Sequence, residues 1–242
     1  MNPPFFSFLR ELELFFSYVV HQGKDKCMRL FLTIVVTFFA TVCANDCQLT
    51  IARLKYGGGG DWYANPSSLP NLVKTLRQRT SIQICDTIKT VEIMDRELFL
   101  FPFIYITGHG DIKLTDAEKL RLRKYLIAGG FLWADDNYGL DRSFRQQISQ
   151  LFPENPLTVI PSDHPIYRSF YRLPGLPKIH EHDGIPAQGL GVFFEGRMVI
   201  FYSYNSDIGD GMEDLHIHND GEKLHELALQ MGINVIFWFL NQ

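Results

Sequence analysis

Leu98-Phe99-Leu100-Phe101-Pro102-Phe103-Ile104-Tyr105-Ile106-Thr107-Gly108-His109-Gly110 carries the clearest fold signal in the chain. From Leu98 to Thr107 the segment reads as one apolar strand without alternation. A strand with one wet face alternates, so a continuous apolar run implies burial on both faces, as in a parallel sheet covered by helices. The strand stops at glycine, and polar residues follow at its carboxyl end.

The same pattern repeats to either side. Upstream, Gln48 to Tyr56 is rich in β-formers and ends in four glycines, Gly57 to Gly60. A helix capped by Ser67 or Ser68 is expected to run through Arg79, and Ile82 to Ile93 reads as extended. Downstream, Thr115-Asp116-Ala117-Glu118 is a capping box opening a helix to Ala128, which Gly129-Gly130 ends. Phe131 to Ala134 is a short buried strand running into Asp135-Asp136-Asn137-Tyr138-Gly139. Asp141 is expected to cap a helix from Arg142 to Leu151. Leu157 to Ile160 reads as a strand, and Leu190–Phe194 and Met198–Tyr204 flank a hairpin turn at Glu195-Gly196. Leu224, Leu227, Ala228, Met231 and Val235 place an apolar face on a final helix, Glu222 to Leu240. Strands alternating with helices predict an α/β domain, a three-layer sandwich around a mostly parallel sheet of flavodoxin-like type.

The first 44 residues read differently. Lys24, Lys26 and Arg29 precede an apolar run from Leu30 to Cys43 that ends in Val42-Cys43-Ala44, the pattern of a secretory signal. The run is shorter than the roughly 20 residues of a membrane span. Residues 28–44 are therefore read as a signal peptide with Met28 as the start, or as an uncleaved anchor in the inner membrane. Residues 1–27 are a mis-called extension, or contain an amphipathic helix from Phe5 to Val20. The domain is assigned to residues 45–242, in an exported, periplasmic protein. Cys47 and Cys85 remain after cleavage and are either a disulfide or two separate thiols. With 46% hydrophobic residues and a net charge of -4, neither disorder nor nucleic-acid binding is indicated.

Ligands in such folds bind beyond the carboxyl ends of the strands. The loops there should bring His109, Asp135 and Asp136 near one another. The glycine run, with Gly58, Gly59, Gly60, Asp61 and Trp62, is either an anion cradle of backbone N–H groups or a tight turn. Asp135 and Asp136 could share a proton, supply oxygen ligands to a cation, or cap a turn. Asn137 and Tyr138 stand beside them. His180 and His182 would share a face if extended, half of a metal site with Asp135, or be ordinary buried and surface histidines. His164 is a further candidate. Asp207-Ile208-Gly209-Asp210-Gly211 lacks the later ligands of a calcium loop and reads as solvated, with His218 or Asp220 ordering the last helix. No serine occupies a Gly-x-Ser-x-Gly elbow and no cysteine a strand-to-helix turn, so covalent catalysis is disfavoured.

Ala52-Arg53-Leu54-Lys55-Tyr56-Gly57-Gly58-Gly59-Gly60-Asp61-Trp62-Tyr63 resembles the opening of the DUF4159 family of bacterial proteins. Tyr105–Gly110, Gly129–Gly139, Asp163–Tyr167, Lys178–Gly184 and Tyr202–Tyr204 are similar to its later blocks. The family is one of unknown function. The resemblance implies a fold like class I glutamine amidotransferases and ThuA-like proteins, whose elbow cysteine is replaced here by Asp135 or Asp136. That implies a non-catalytic module binding a small polar ligand or a cell-envelope protein. The alternative is a hydrolase using the His/Asp cluster, with or without a metal. No cofactor is identified, and membrane contact would come only through a retained leader.

Overall fold

The computed structural model describes residues 47–182 and 184–242, and Cys47–Gln242 form one compact unit. The expected leader, the start at Met28 and the helix from Phe5 lie outside the described residues. No described helix is long and apolar enough to cross a membrane.

The sheet contains β1 (Ile51–Lys55), β2 (Lys89–Glu92), β3 (Phe103–Ile106), β4 (Phe131–Asp135), β5 (Thr158–Val159), β6 (Gln188–Phe194) and β7 (Arg197–Tyr204). Their order is β2-β1-β3-β4-β7-β6-β5. The first five in that order run parallel, and β6 is antiparallel to β7 and to β5. The helices are α1 (Ser68–Arg79), α2 (Asp116–Ile127), α3 (Asp141–Leu151), α4 (Ile208–Gly211), α5 (Leu215–His218) and α6 (Gly221–Asn241). The protein is thus α/β with a mostly parallel sheet.

Two apolar clusters show why β3 and β4 do not alternate in polarity. Phe103, Tyr105, Phe131 and Trp133 face a core completed by α1 and α6. Ile104, Ile106, Leu132 and Ala134 face a second one completed by α2 and α3. Successive side chains point to opposite faces, and both faces are dry.

The expected strand from Leu98 is shorter than its apolar run. Arg96–Leu100 form a 3-10 turn, with Phe99 and Leu100 exposed, and β3 begins only after Pro102. Proline has no N–H for the ladder and favours the first position before a strand. Leu157–Ile160 likewise contributes only the two-residue edge strand β5. The capping box at Thr115 and Glu118 forms as read, as does the hairpin, where Glu195 and Gly196 both have positive φ.

Three expected caps do different work. Asp141 lies inside the first turn of α3, where its Oδ1 accepts from Arg145 Nε at 2.6 Å and from the Tyr202 hydroxyl at 3.1 Å. Ser67 Oγ donates to Glu213 and Ser68 Oγ to the Asn65 carbonyl. Loop anchoring has taken the hydroxyls that sequence assigns to the helix end.

Cys47 and Cys85 form a disulfide with a Cα–Cα distance of 4.9 Å and a separation of 38 residues. It ties the approach to β1 to the approach to β2, beside the parallel bridge of Leu49 and Ile84. Closing a loop of this length restricts the unfolded chain by about 2–4 kcal/mol. Reduction should therefore lower the urea midpoint by an amount equivalent to that range; identical midpoints with and without reductant would show that the bond contributes nothing.

Candidate functional site

β4 and β7 are parallel neighbours with Asp135 opposite Ser203. Their carboxyl ends release two chains into one region. Asp135 closes β4 fully buried, accepting from Ser203 Oγ, from Gly209 N at 2.6 Å and from Ile208 N at 3.3 Å. Burial pushes its carboxyl up to about 8, although the Ser203 and Gly209 bonds pull the other way. Only glycine fits at 209. An added Cβ would lie 2.4 Å from Asn65 Nδ2, 2.8 Å from the Tyr105 hydroxyl and 3.1 Å from Asp135 Oδ2.

The segment expected to be a solvated calcium-like loop, Asp207–Gly211, is instead buried. Asp207 is 1% exposed and takes a left-handed backbone, φ 59° and ψ 44°, at the start of α4. Aspartate enters that region more readily than most residues. The turn directs the N–H groups of Ile208 and Gly209 at Asp135, which explains its burial. Asp210 Oδ1 accepts from Asn65 Nδ2 at 2.7 Å and Asn137 Nδ2 at 2.8 Å, while Oδ2 meets His180 Nδ1 at 3.1 Å. Asn137 also pairs with Thr107 Oγ1 at 3.1 Å, joining the end of β3 to this point.

The segment after Pro177 brings in the histidines. Ile179 N bonds to the Ser206 carbonyl and Lys178 Nζ to the Asn205 carbonyl. This pins the chain beside α4. His180 Nε2 hydrogen-bonds to Asp220, and His182 Nε2 meets Asp207 Oδ2 at 2.6 Å. The His182 ring stacks on Tyr138 at 4.5 Å between centroids. His218 lies 5.4 Å from His180, centroid to centroid, with Nε2 3.1 Å from Glu213. The bond to Asp210 raises His180 to about 9 against burial, with Asp220 adding to the rise. Burial lifts Asp207 to about 7, reinforced by the charge of Asp210. Burial would also raise Asp210, but His180 and His218 outweigh it and hold Asp210 below the usual carboxylate value. Ligand atoms of His180, His182 and Asp207 lie within 4.8 Å of one another, as do those of His180, Asp210 and His218. Imidazole and carboxylate together suit first-row divalent metals.

Two of the candidate histidines stand elsewhere. His109 does not join Asp135 and Asp136. Its backbone N–H and its ring Nδ1, the latter at 3.1 Å, both bond to Asp61. This is one half of a latch in which Gly60 N donates to the Asp111 carbonyl and Lys113 N to the Gly57 carbonyl. Gly58, at φ 114°, leaves no room for a side chain, since an added Cβ would be 2.5 Å from Lys113 N. Gly59 and Asp61 belong to this latch, and Lys55 Nζ sits 5.9 Å from the Trp62 ring centroid. The glycines thus serve a tight turn. His164 accepts from Ile166 N at 3.2 Å, capping the start of the 3-10 turn Pro165–Arg168, and its ring packs on Trp238; burial lowers its pKa.

Asp136 takes a separate route from Asp135. Its Oδ1 accepts from Leu140 N at 3.2 Å, as a cap would, and burial raises its pKa. It lines an open cavity of about 330 Å³ with Tyr138, Asp141, Arg142, Tyr204 and Asn205.

Asp207, Asp210, Asn65 and Ser203 escape a sequence reading of the site. The one available signal was the density of Asp and Gly at 207–211 between two histidine pairs. A family model for a domain of unknown function, DUF4159, matches residues 50–240. No curated protein matches the sequence.

Proposed function

From membership of the DUF4159 family, to which this chain belongs, we propose that it is an exported cell-envelope protein whose amidotransferase-like domain is a non-catalytic ligand-binding module. The carrying observation is convergence. The ends of β4 and β7, the segment around His180 and the start of α6 deliver three imidazoles and three carboxylates to one edge of the sheet. Of the two residues that the resemblance sets at the place of an elbow nucleophile, Asp135 is buried and turned onto backbone N–H groups and Asp136 accepts from Leu140 N. Both cysteines of the domain are joined to each other, and a disulfide suits an oxidising compartment, which supports export.

Native mass spectrometry of the untagged protein, purified from the periplasm, tests this reading. A bound small molecule or ion should travel with the wild type and be lost from Tyr138→Ala, which removes a half-exposed ring from His182 and should leave the fold intact. Equal retention by both proteins would count against this site. Ammonia release from glutamine, or ester hydrolysis that falls in Tyr138→Ala, would replace binding with catalysis. The cavity beside Tyr138 favours that second reading, a hydrolase with Asp136 facing the substrate.

A further inference from the structure

Asp207 is the one carboxylate of the cluster that is both buried and incompletely used. Its side chain is 1% exposed and its Oδ2 is engaged by His182. Its Oδ1 is buried without a hydrogen-bond partner among the described residues. Burying a carboxylate oxygen with nothing to accept from is costly, and buried charges are normally paired or bound to metal.

Asp210 is the opposite case. Both of its oxygens are engaged, by Asn65, Asn137 and His180. Its bond to His180 Nδ1 is the arrangement by which an outer carboxylate fixes the orientation of a ligating imidazole; Nε2 is then the ligating atom, and a cation there replaces the proton that Nε2 shares with Asp220. This contrast decides between the two overlapping groups that share His180. The group with His218 would use the saturated carboxylate, and its histidine is held by Glu213 outside the group, whereas His182 is held by Asp207 within its own. The group with His182 uses the carboxylate that has an oxygen to spare.

We infer that His180, His182 and Asp207 form a binding site for one divalent first-row transition cation, with Asp210 as the positioning residue for His180. The inference rests on reading the cluster as a binding site and names the ligand that the site takes. Two imidazoles and one carboxylate fit zinc, cobalt, manganese or ferrous iron, and the set contains no thiolate. The ligand atoms lie within 4.8 Å of one another. Bonds of about 2.0–2.2 Å to a shared ion fit that spacing once the 2.6 Å hydrogen bond between His182 and Asp207 gives way to the ion. Tyr138 stacks on the His182 ring and holds it in place.

The test uses the untagged full-length protein, stripped with chelator and titrated by calorimetry with Zn2+, and with Co2+ by visible absorption. One ion per chain is expected, with ligand-field bands for cobalt. Asp207→Asn and His182→Ala should weaken binding by at least about 100-fold. Asp210→Asn should weaken it by about 10–100-fold, and His218→Ala by no more than about 3-fold. Thermal melts establish that each variant is folded. Should Asp207→Asn fail to fold, zinc-edge absorption spectroscopy of the wild type decides, since two imidazole ligands are required and fewer would overturn the assignment. Folded wild type that takes up neither ion, undiminished binding by Asp207→Asn, or loss in His218→Ala as large as in His182→Ala would each overturn it as well. If the ions fail but an organic adduct is still lost from Tyr138→Ala, only the cation is excluded. If both fail, the binding-module reading falls with it.

Discussion

Asp135→Asn is expected to stabilise the metal-free protein at pH 8 and above by several kcal/mol while changing it little near pH 4. Asp135 has a folded value of about 8 against an ordinary 3.8. Between those values the native state holds a proton that the unfolded chain has released, so stability falls as pH rises. The loss begins near the unfolded value and levels off above the folded one, and just over four units correspond to at most about 6 kcal/mol. An amide of the same shape has no charge to bury. Its oxygen can still accept from Gly209 N and its NH2 can donate to Ser203 Oγ, at the loss of the long bond from Ile208 N. Asp207, raised to about 7, acts in the same direction over a narrower window. His180, raised from 6.5 to about 9, contributes stability that is complete below 6.5 and lost as pH rises through 9. Wild-type stability should therefore decline from about pH 4 to pH 9, and Asp135→Asn should decline less steeply. Urea midpoints at intervals of pH measure both slopes. Parallel slopes would mean that Asp135 is not the buried proton-holding group described above.

Trp133→Ala should cost about 3–5 kcal/mol, the range for deleting a large core aromatic. Trp133 is fully buried on β4, packed edge-on against Tyr105 at 5.0 Å, and its Nε1 donates to Ser203 Oγ at 3.0 Å. The hydroxyl of Ser203 also bonds to Asp135, so this side chain joins the apolar core to the polar edge. Trp133→Phe keeps most of the volume but loses the N–H and the pyrrole part of the indole, for which about 1–3 kcal/mol is expected. Chemical unfolding separates the two contributions. A Trp133→Ala cost under 1 kcal/mol would show that the core collapses to fill the space.

Much of the fold was readable because its signals are local. The unbroken apolar run at Phe103–Ile106, the capping box at Thr115 and the turn at Glu195-Gly196 each report a requirement of neighbouring residues. The errors came where two demands met. Pro102 shortened a strand that hydropathy extended to Leu98. Ser67 and Asp141, good helix caps by type, were taken up by Glu213 and by Arg145 and Tyr202. The site was readable only in fragments. His180 and His182 stood out by composition, but their carboxylate partners at 207, 210 and 220 follow 25 or more residues later. Topology alone groups His109 with Asp135, whereas Asp61 holds it in the glycine latch.

The sequence by itself determined that this is an α/β chain with a mostly parallel sheet, since periodicity and punctuation act over a few residues. Tertiary structure alone decided which polar groups meet. It turned Asp207–Gly211 inward, left Asp207 with an oxygen to offer and saturated Asp210, because burial and hydrogen-bond partnership are set by distant segments that no local pattern encodes.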